Sequence, residues 1–227
     1  MEQEKLPLFI FRIFGIEIPI NTSIIVQWAI ILVLAVLSII LTRNLKRIPD
    51  KKQNALEWFY EVVEGLVKEN MGEENIGFVP FIGTLVLYLL CMNVIPVLGI
   101  PAPTEELSVT LGMGAAIFFV VQGYAIYKVG LGHYFKGYLN PIPVILPMNI
   151  IERLILPVSL GLRLFGNIAA GAVIMGIAYK GLGGINPLLS IGLPVPFHFY
   201  FDLFDGFIQM LIFIMLTMIN IKLAVEH

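Results

Sequence analysis

The stretch GLRLFGN, Gly161–Asn167, places an arginine in the middle of a long apolar segment. That segment begins near Met148 and stays apolar to about Tyr179. A charged side chain at the centre of a bilayer costs about 2.5–3.5 kcal/mol on insertion scales, so such residues face a protein interior or a water path. The position of Arg163 therefore indicates an intramembrane site, with a purely structural tie between two helices as the alternative.

The composition of the whole chain supports a membrane location. Of 227 residues, 58% are hydrophobic and 13% are charged, whereas soluble domains have about 45–50% apolar and 25% charged residues. The length and the absence of a long linker predict a single membrane-embedded domain over residues 1–227. A net charge of −2 without a basic cluster argues against nucleic acid. The single cysteine, Cys91, lies in an apolar run and is interpreted as a small buried hydrophobe.

Five segments approach the roughly 20 apolar residues that a transmembrane helix needs. They are about Thr22–Leu41, Phe81–Leu98, Ser108–Tyr127, Met148–Tyr179 and Phe197–Val225. The last two exceed the usual span and are expected to be tilted or curved. The Gly- and Pro-rich turn between them, GLGGINPLLSIGLPVP, could lie at the membrane or partly inside it. These segments predict an all-α membrane protein.

The distribution of basic residues gives one orientation for all the loops. Cytoplasmic loops carry an excess of Lys and Arg. The loop after the first span and the loop after the third span are basic, whereas residues 99–107 contain neither Lys nor Arg. The basic residues are Arg43, Lys46, Arg47, Lys51 and Lys52 in the first of these loops, and Lys128 and Lys136 in the other. With five crossings, we expect the N-terminus outside and the C-terminus in the cytoplasm.

An amphipathic helix is predicted between the first two spans, in NALEWFYEVVEGLVKEN. Apolar residues recur at helical spacing, namely Leu56, Phe59, Val63, Leu66 and Val67. The polar side is acidic, with Glu57, Glu61, Glu64 and Glu69. Because helices that lie on lipid are usually basic, this pattern favours packing against protein over simple lipid anchoring.

Two further polar groups belong to the fourth span. Asn167 lies one turn beyond Arg163 and on the same face. Glu152 is eleven positions before Arg163, about 16 Å along a helix, so the two cannot pair within the segment. Glu152 is expected at the cytoplasmic end.

The last span carries a polar stripe. Asp202, Asp205 and Gln209 fall at spacings of three and four, which places them on one face of an α-helix. The orientation puts the aspartates in the outer half and Gln209 nearer the middle. The alternative for both aspartates is a solvated or salt-bridged helix start near the outer surface. An outer acidic zone, a central arginine and an inner acid would together line a path across the bilayer.

Enzyme and transporter alternatives have weaker support. The stretch Asp202–Gly206 is similar to acidic metal-binding motifs of membrane phosphotransferases, but the residues that should follow it are missing. A secondary transporter often shows repeated halves, whereas here the polar groups concentrate in the last two spans. No His, Cys and Asp spacing predicts a transition-metal site, and no GxxxxGK[ST] motif predicts nucleotide binding. No cofactor is expected.

PMNIIERLILPVSLGLRLFGNIAAG, followed by a helix with IQMLIFIMLTMINI, resembles the a subunit of F-type ATP synthases. MNVIPVLGIPAPTEELSVTLGMG and KVGLGHYFKGYLNP extend the resemblance over most of the chain. The resemblance implies five transmembrane helices plus the amphipathic one, with the last two forming a hairpin along the c-ring. It also implies an ion-translocating subunit for H⁺ or Na⁺ that has no catalytic activity alone. The implied partners are the c-ring of two-helix c subunits, the peripheral-stalk b subunits and the rest of the complex.

The resemblance also assigns roles residue by residue. Arg163 falls on the family's essential arginine, Gln209 on its glutamine partner and Asn167 on the motif's asparagine. Glu152 matches an acid common at the cytoplasmic access path. Many relatives carry an acid directly after the AG of RLFGNxxAG, where this chain has Ala172. Since relatives often carry a polar residue at the position of Asp202, we expect Asp202, assisted by Asp205, to act as the outer relay.

Overall fold

Apolar segments that cross a bilayer become helices because a helix satisfies its backbone hydrogen bonds within one segment. In the computed structural model, which describes residues 9–13, 16–98, 100, 102–132, 134, 143–185 and 194–226, five helices are long and apolar enough to cross a membrane. The prediction of five spans plus one surface helix is confirmed. The helices are α1 Thr22–Thr42, α2 Lys51–Met71, α3 Val79–Val94, α4 Leu107–Val129, α5 Leu146–Ile185, the short α6 Pro194–His198 and α7 Gly206–Glu226.

Shorter elements connect these helices. Two strands, β1 Phe9–Ile13 and β2 Ile16–Ile20, precede α1 and pair antiparallel, with Phe9 opposite Ile20. The patterns examined in the sequence did not predict this hairpin. The 3₁₀ turns are Glu73–Phe78, Ile95–Leu98, Pro103–Glu105 and Pro143–Ile145, and a π-helix spans Phe199–Asp205. Residues 186–193 of the turn between the last two spans, and Lys136, lie outside the described residues.

The last two spans differ from their predicted bounds. α5 has 40 residues, about 60 Å of helix, which is about twice the hydrocarbon thickness of a bilayer. Such a helix must run obliquely or continue beyond the hydrocarbon core. In the last span, regular α-helix begins only at Gly206, because the preceding seven residues form the π-helix.

The amphipathic helix α2 packs against protein, as predicted. Val63, Val67 and Met71 are buried in the same apolar cluster as residues of α3 and α7. The acidic face keeps Glu57 and Glu61 exposed. Beyond the end of α2, the hydroxyl of Tyr124 on α4 donates a 2.7 Å hydrogen bond to Oδ1 of Asn75.

The first span is held by polar contacts near its beginning. The hydroxyl of Ser23 donates a 2.6 Å hydrogen bond to Oε1 of Glu106, at the start of α4. One turn further along α1, Oε1 of Gln27 accepts a 3.1 Å hydrogen bond from the hydroxyl of Tyr88 on α3. Most of the remaining α1 surface is apolar and exposed, which suits a peripheral helix that faces lipid.

The closest helix crossing in the bundle joins α4 to α5. A Cβ atom added to Gly114 would lie 2.3 Å from the carbonyl oxygen of Pro157. A Cβ atom on Gly161 would lie 2.8 Å from the carbonyl oxygen of Thr110. Small residues spaced by four allow backbones to approach this closely inside membranes. The crossing therefore fixes α5 against α4 directly before Arg163.

Gly114→Ala should destabilise the protein because the new methyl group overlaps backbone atoms, which cannot move aside as a flexible side chain can. Overpacking of this kind costs about 1–3 kcal/mol. Gly112→Ala is the matched control, since no atom lies within 4 Å of the corresponding Cβ position. We expect a lower melting temperature of the purified protein for Gly114→Ala only. Equal melting temperatures of the two variants would contradict this close crossing.

Candidate functional site

The α4–α5 crossing determines which way Arg163 faces. Gly161 lies against α4, and Arg163 is two residues later, about 200° around the helix. Arg163 accordingly lies on the exposed side of α5. Its place on this side follows from the glycine that precedes it by two positions.

A crevice between α5 and α7 brings Arg163 together with Gln209. Leu160, Leu164 and Phe213 complete its lining, and all three are at least 96% buried. Gln209 is half-buried. The guanidinium and the amide therefore lie at the surface of a tightly packed apolar floor that excludes water between the two helices.

Within the part of the chain that the structure describes, Arg163 has neither an ion pair nor a hydrogen bond. The described contacts of Asn167, half-buried one turn later, and of Gln209 likewise include no side-chain hydrogen bond. An unpaired cation inside a bilayer is expensive. The charge of Arg163 therefore favours a negatively charged partner on the exposed side of α5.

The two aspartates lie in the π-helical segment rather than in regular α-helix. Asp205 is half-buried and ends the segment. The side chain of Asp202 lies outside the described part of the structure, so its place on a common face with Gln209 stays a prediction. A π-helix has a wider turn than an α-helix, and the α-helical spacing used to align Asp202 with Asp205 does not hold there.

Glu152 lies on the exposed side of α5, far from Arg163 along the helix. The structure does not bring these two residues together, as expected from their separation in sequence. Among the described residues, no three His, Cys, Asp or Glu side chains form a group that could hold a metal ion.

A second crevice contains polar residues that the sequence reasoning missed. It lies between α4, α5 and α7, and its polar lining consists of Gln122, Arg153 and Asn220. The Cζ atom of Arg153 lies 5.2 Å from the ring centroid of Tyr134, a cation–π contact. The hydroxyl of Tyr134 donates a hydrogen bond to Oε1 of Gln122. A second arginine near the start of the fourth span, next to Glu152, was the available signal.

The fold and the crevice define a class: a polytopic helical membrane protein that carries a permanent cation on its fourth span, exposed beside the last span. The family profile described as ATP synthase A chain matches residues 24–222. The chain therefore belongs to the ATP synthase subunit a family, as the resemblance predicted, and is a multi-pass component of the membrane sector of that complex. This assignment lends no support to the phosphotransferase and secondary-transporter alternatives.

Individual relatives match over nearly the whole chain. ATP synthase subunit a of Staphylococcus saprophyticus is 34% identical, with 98% of each chain covered. The protein of the same name from Staphylococcus carnosus is 33% identical, covering 99% of this chain and 100% of the relative. A subunit a from Propionigenium modestum, named as sodium ion specific, is 31% identical over 90% of this chain and 74% of the relative.

Proposed function

We propose that the chain is the ion-translocating stator subunit of a rotary ATP synthase, with Arg163 acting on carboxylates of a neighbouring c-ring. The observation that carries this proposal is the position of Arg163. It is exposed on a membrane-spanning helix and has no ion-pair partner within the described residues. A partner on another subunit supplies the missing negative charge.

The ion transfer follows from the cost of a charge in lipid. A ring carboxyl that faces lipid must be neutral, because a buried anion is unfavourable. When this carboxyl reaches Arg163, the positive charge favours its ionised form, and the bound ion leaves. Arginine suits this task because it cannot lose its own proton inside a protein. The same charge repels a cation that would pass directly between the two half-channels.

The two half-channels use different polar residues. Asp202, assisted by Asp205, receives ions on the outer side, since Ala172 replaces the acid common in relatives. Glu152 serves the cytoplasmic side. Gln209 lies beside Arg163 in the crevice and orients the passing carboxyl through its amide, while Asn167 lines the same surface one turn further along.

The chain works only as part of the complete complex. It contains no nucleotide-binding motif of the GxxxxGK[ST] type, so the catalytic head supplies the chemistry of ATP. Each elementary charge that crosses 100 mV releases about 2.3 kcal/mol, and several per turn drive synthesis. Peripheral-stalk b subunits hold this chain against the torque of the ring.

The membrane and the ion complete the proposal. The protein lies in the inner membrane of a bacterial cell, with its N-terminus outside and its C-terminus in the cytoplasm; the basic loops support this orientation. The relatives described above come from Staphylococcus and Propionigenium, and one of them is named as sodium ion specific. The ring carboxylate, on another chain, selects between H⁺ and Na⁺.

Substitutions of Arg163 distinguish the proposed role in ion transfer from a purely structural link between two helices. Arg163→Ala should abolish ATP-driven pumping while the complex stays assembled, because no fixed charge remains to discharge the ring carboxyl. Arg163→Lys should also fail, since a desolvated lysine can lose its proton. Pumping into membrane vesicles and the subunit content of the purified complex are the measurements. Arg47→Ala, in an exposed loop, is the control, and coupled pumping by Arg163→Ala would contradict the proposal.

The outer relay has its own test. Asp202→Asn should slow ion uptake from the outer side about tenfold or more and shift its pH dependence, because a positioned proton carrier contributes about 10²–10⁴ in rate. Asp205→Asn should have a smaller effect, in keeping with an assisting role. ATP synthesis driven by an imposed gradient in proteoliposomes measures both variants. If Asp202→Asn leaves the flux unchanged, the relay lies elsewhere.

A further inference from the structure

A buried amide joins the second span to the last one. Asn93, near the end of α3, is 5% exposed. Its Nδ2 atom donates a 2.8 Å hydrogen bond to the carbonyl oxygen of Gly206. Gly206 is itself buried, and a Cβ atom added there would lie 3.3 Å from Cγ of Asn93. The hydrogen bond and the missing side chain at position 206 are both compatible with this close approach, and an added Cβ atom would crowd the amide of Asn93.

The contact lies at the junction between two kinds of helix. Phe199–Asp205 is π-helical, and Gly206 is the first residue of α7. Single π turns are rare and occur frequently at functional sites. The segment FYFDLFD contains aromatic residues and aspartates, which have only moderate helix propensity. Local propensity therefore does not determine where the π-helix ends, and a contact from another element can.

The position of this junction determines where the aspartates point. An α-helix turns about 100° per residue and a π-helix turns less. Each residue by which the junction shifts therefore rotates the preceding side chains, relative to α7, by the difference between the two turns. Asp205 is the residue directly before Gly206, and Asp202 lies within the same π-helix. α3 and the 3₁₀ turn Ile95–Leu98 both pack against the segment, so Asn93 contacts the junction from a fixed scaffold.

We propose that Asn93 is a positioning residue that fixes the end of the π-helix and thereby aims the outer aspartates toward the ion path. This inference rests on the proposed function, because it assumes that Asp202 and Asp205 take up ions from the outer side. Asn93 neither binds the ion nor contacts the ring; it acts through the carbonyl group of Gly206.

The test measures the ion requirement separately on the outer and the cytoplasmic side of the membrane. Asn93→Leu keeps a side chain of similar size and removes the donor. In proteoliposomes with the complete complex, we expect ATP synthesis by this variant to need an about tenfold higher outer ion concentration for its half-maximal rate, because the carbonyl group of Gly206 loses the hydrogen bond that Asn93 donates. The cytoplasmic ion concentration needed for ATP-driven pumping should stay unchanged.

Gly206→Ala changes the same contact from the other side. The added methyl group is crowded by Cγ of Asn93 at 3.3 Å, so it should also raise the outer ion requirement while the donor remains present. Thr217→Val is the matched control: the Thr217 hydroxyl donates a buried 2.7 Å hydrogen bond to the carbonyl oxygen of Phe213, within α7 and away from the junction. This control should keep the outer ion requirement of the unmodified complex.

A purely structural role of Asn93 gives a different result. Loss of a purely structural contact would reduce the amount of assembled complex and the maximal rates of ATP synthesis and of ATP-driven pumping. It would leave the outer ion requirement unchanged. That result, or failure of both Asn93→Leu and Gly206→Ala to assemble, would overturn the inference. Neither outcome bears on the proposed function, which depends on Arg163. Coupled ATP-driven pumping by an Arg163→Ala complex would refute that function, whatever the result for the Asn93 variants.

Discussion

The structure depends on the cost of holding a permanent positive charge in a bilayer. Arg163 lies within a 40-residue helix, faces away from α4, and has no ion pair among the described residues. A charge in this position is tolerated when a counter-charge or water meets it. In the stator role proposed for this chain, that counter-charge belongs to another subunit and is present only while the subunit passes. The same cost explains why the carboxyl on that subunit must be neutral elsewhere in the lipid.

The packing around Arg163 serves this electrostatic arrangement. The α4–α5 crossing leaves no room for a side chain at Gly114 or Gly161, which fixes the rotation of α5. Leu164 and Phe213 seal the floor of the crevice on the side of α7. The close packing below it directs the side chain of Arg163 outward.

The spans and the surface helix could be predicted from sequence because each depends on local patterns. Twenty apolar residues indicate a span, and helical spacing placed Val63 and Val67 on the buried face of α2. That Arg163 and Gln209 lie close together was expected only from the family resemblance. Periodicity does not say which helices are adjacent.

Other features could not be read from sequence because they depend on contacts between distant segments. The π-helix at Phe199–Asp205 replaces the regular spacing expected there, and its junction contacts Asn93, 113 positions away. Arg153 and Gln122 lie 31 positions apart in the sequence, and only the packing of α4 against α5 brings them into one crevice. The first strand of the β-hairpin, FIFRI, has no clear alternation of apolar and polar residues that would predict it.

The most direct measurement asks what faces the exposed side of α5. Cys91 is the only cysteine of the chain, so an Asn167→Cys variant with Cys91→Ala carries a single attachment site for a photoreactive maleimide. In the intact complex, the account predicts cross-links to a small two-helix subunit with a carboxylate in its membrane segment. These cross-links should shift to different copies of that subunit during turnover. Cross-links to lipid alone, in an assembled and active complex, would contradict it.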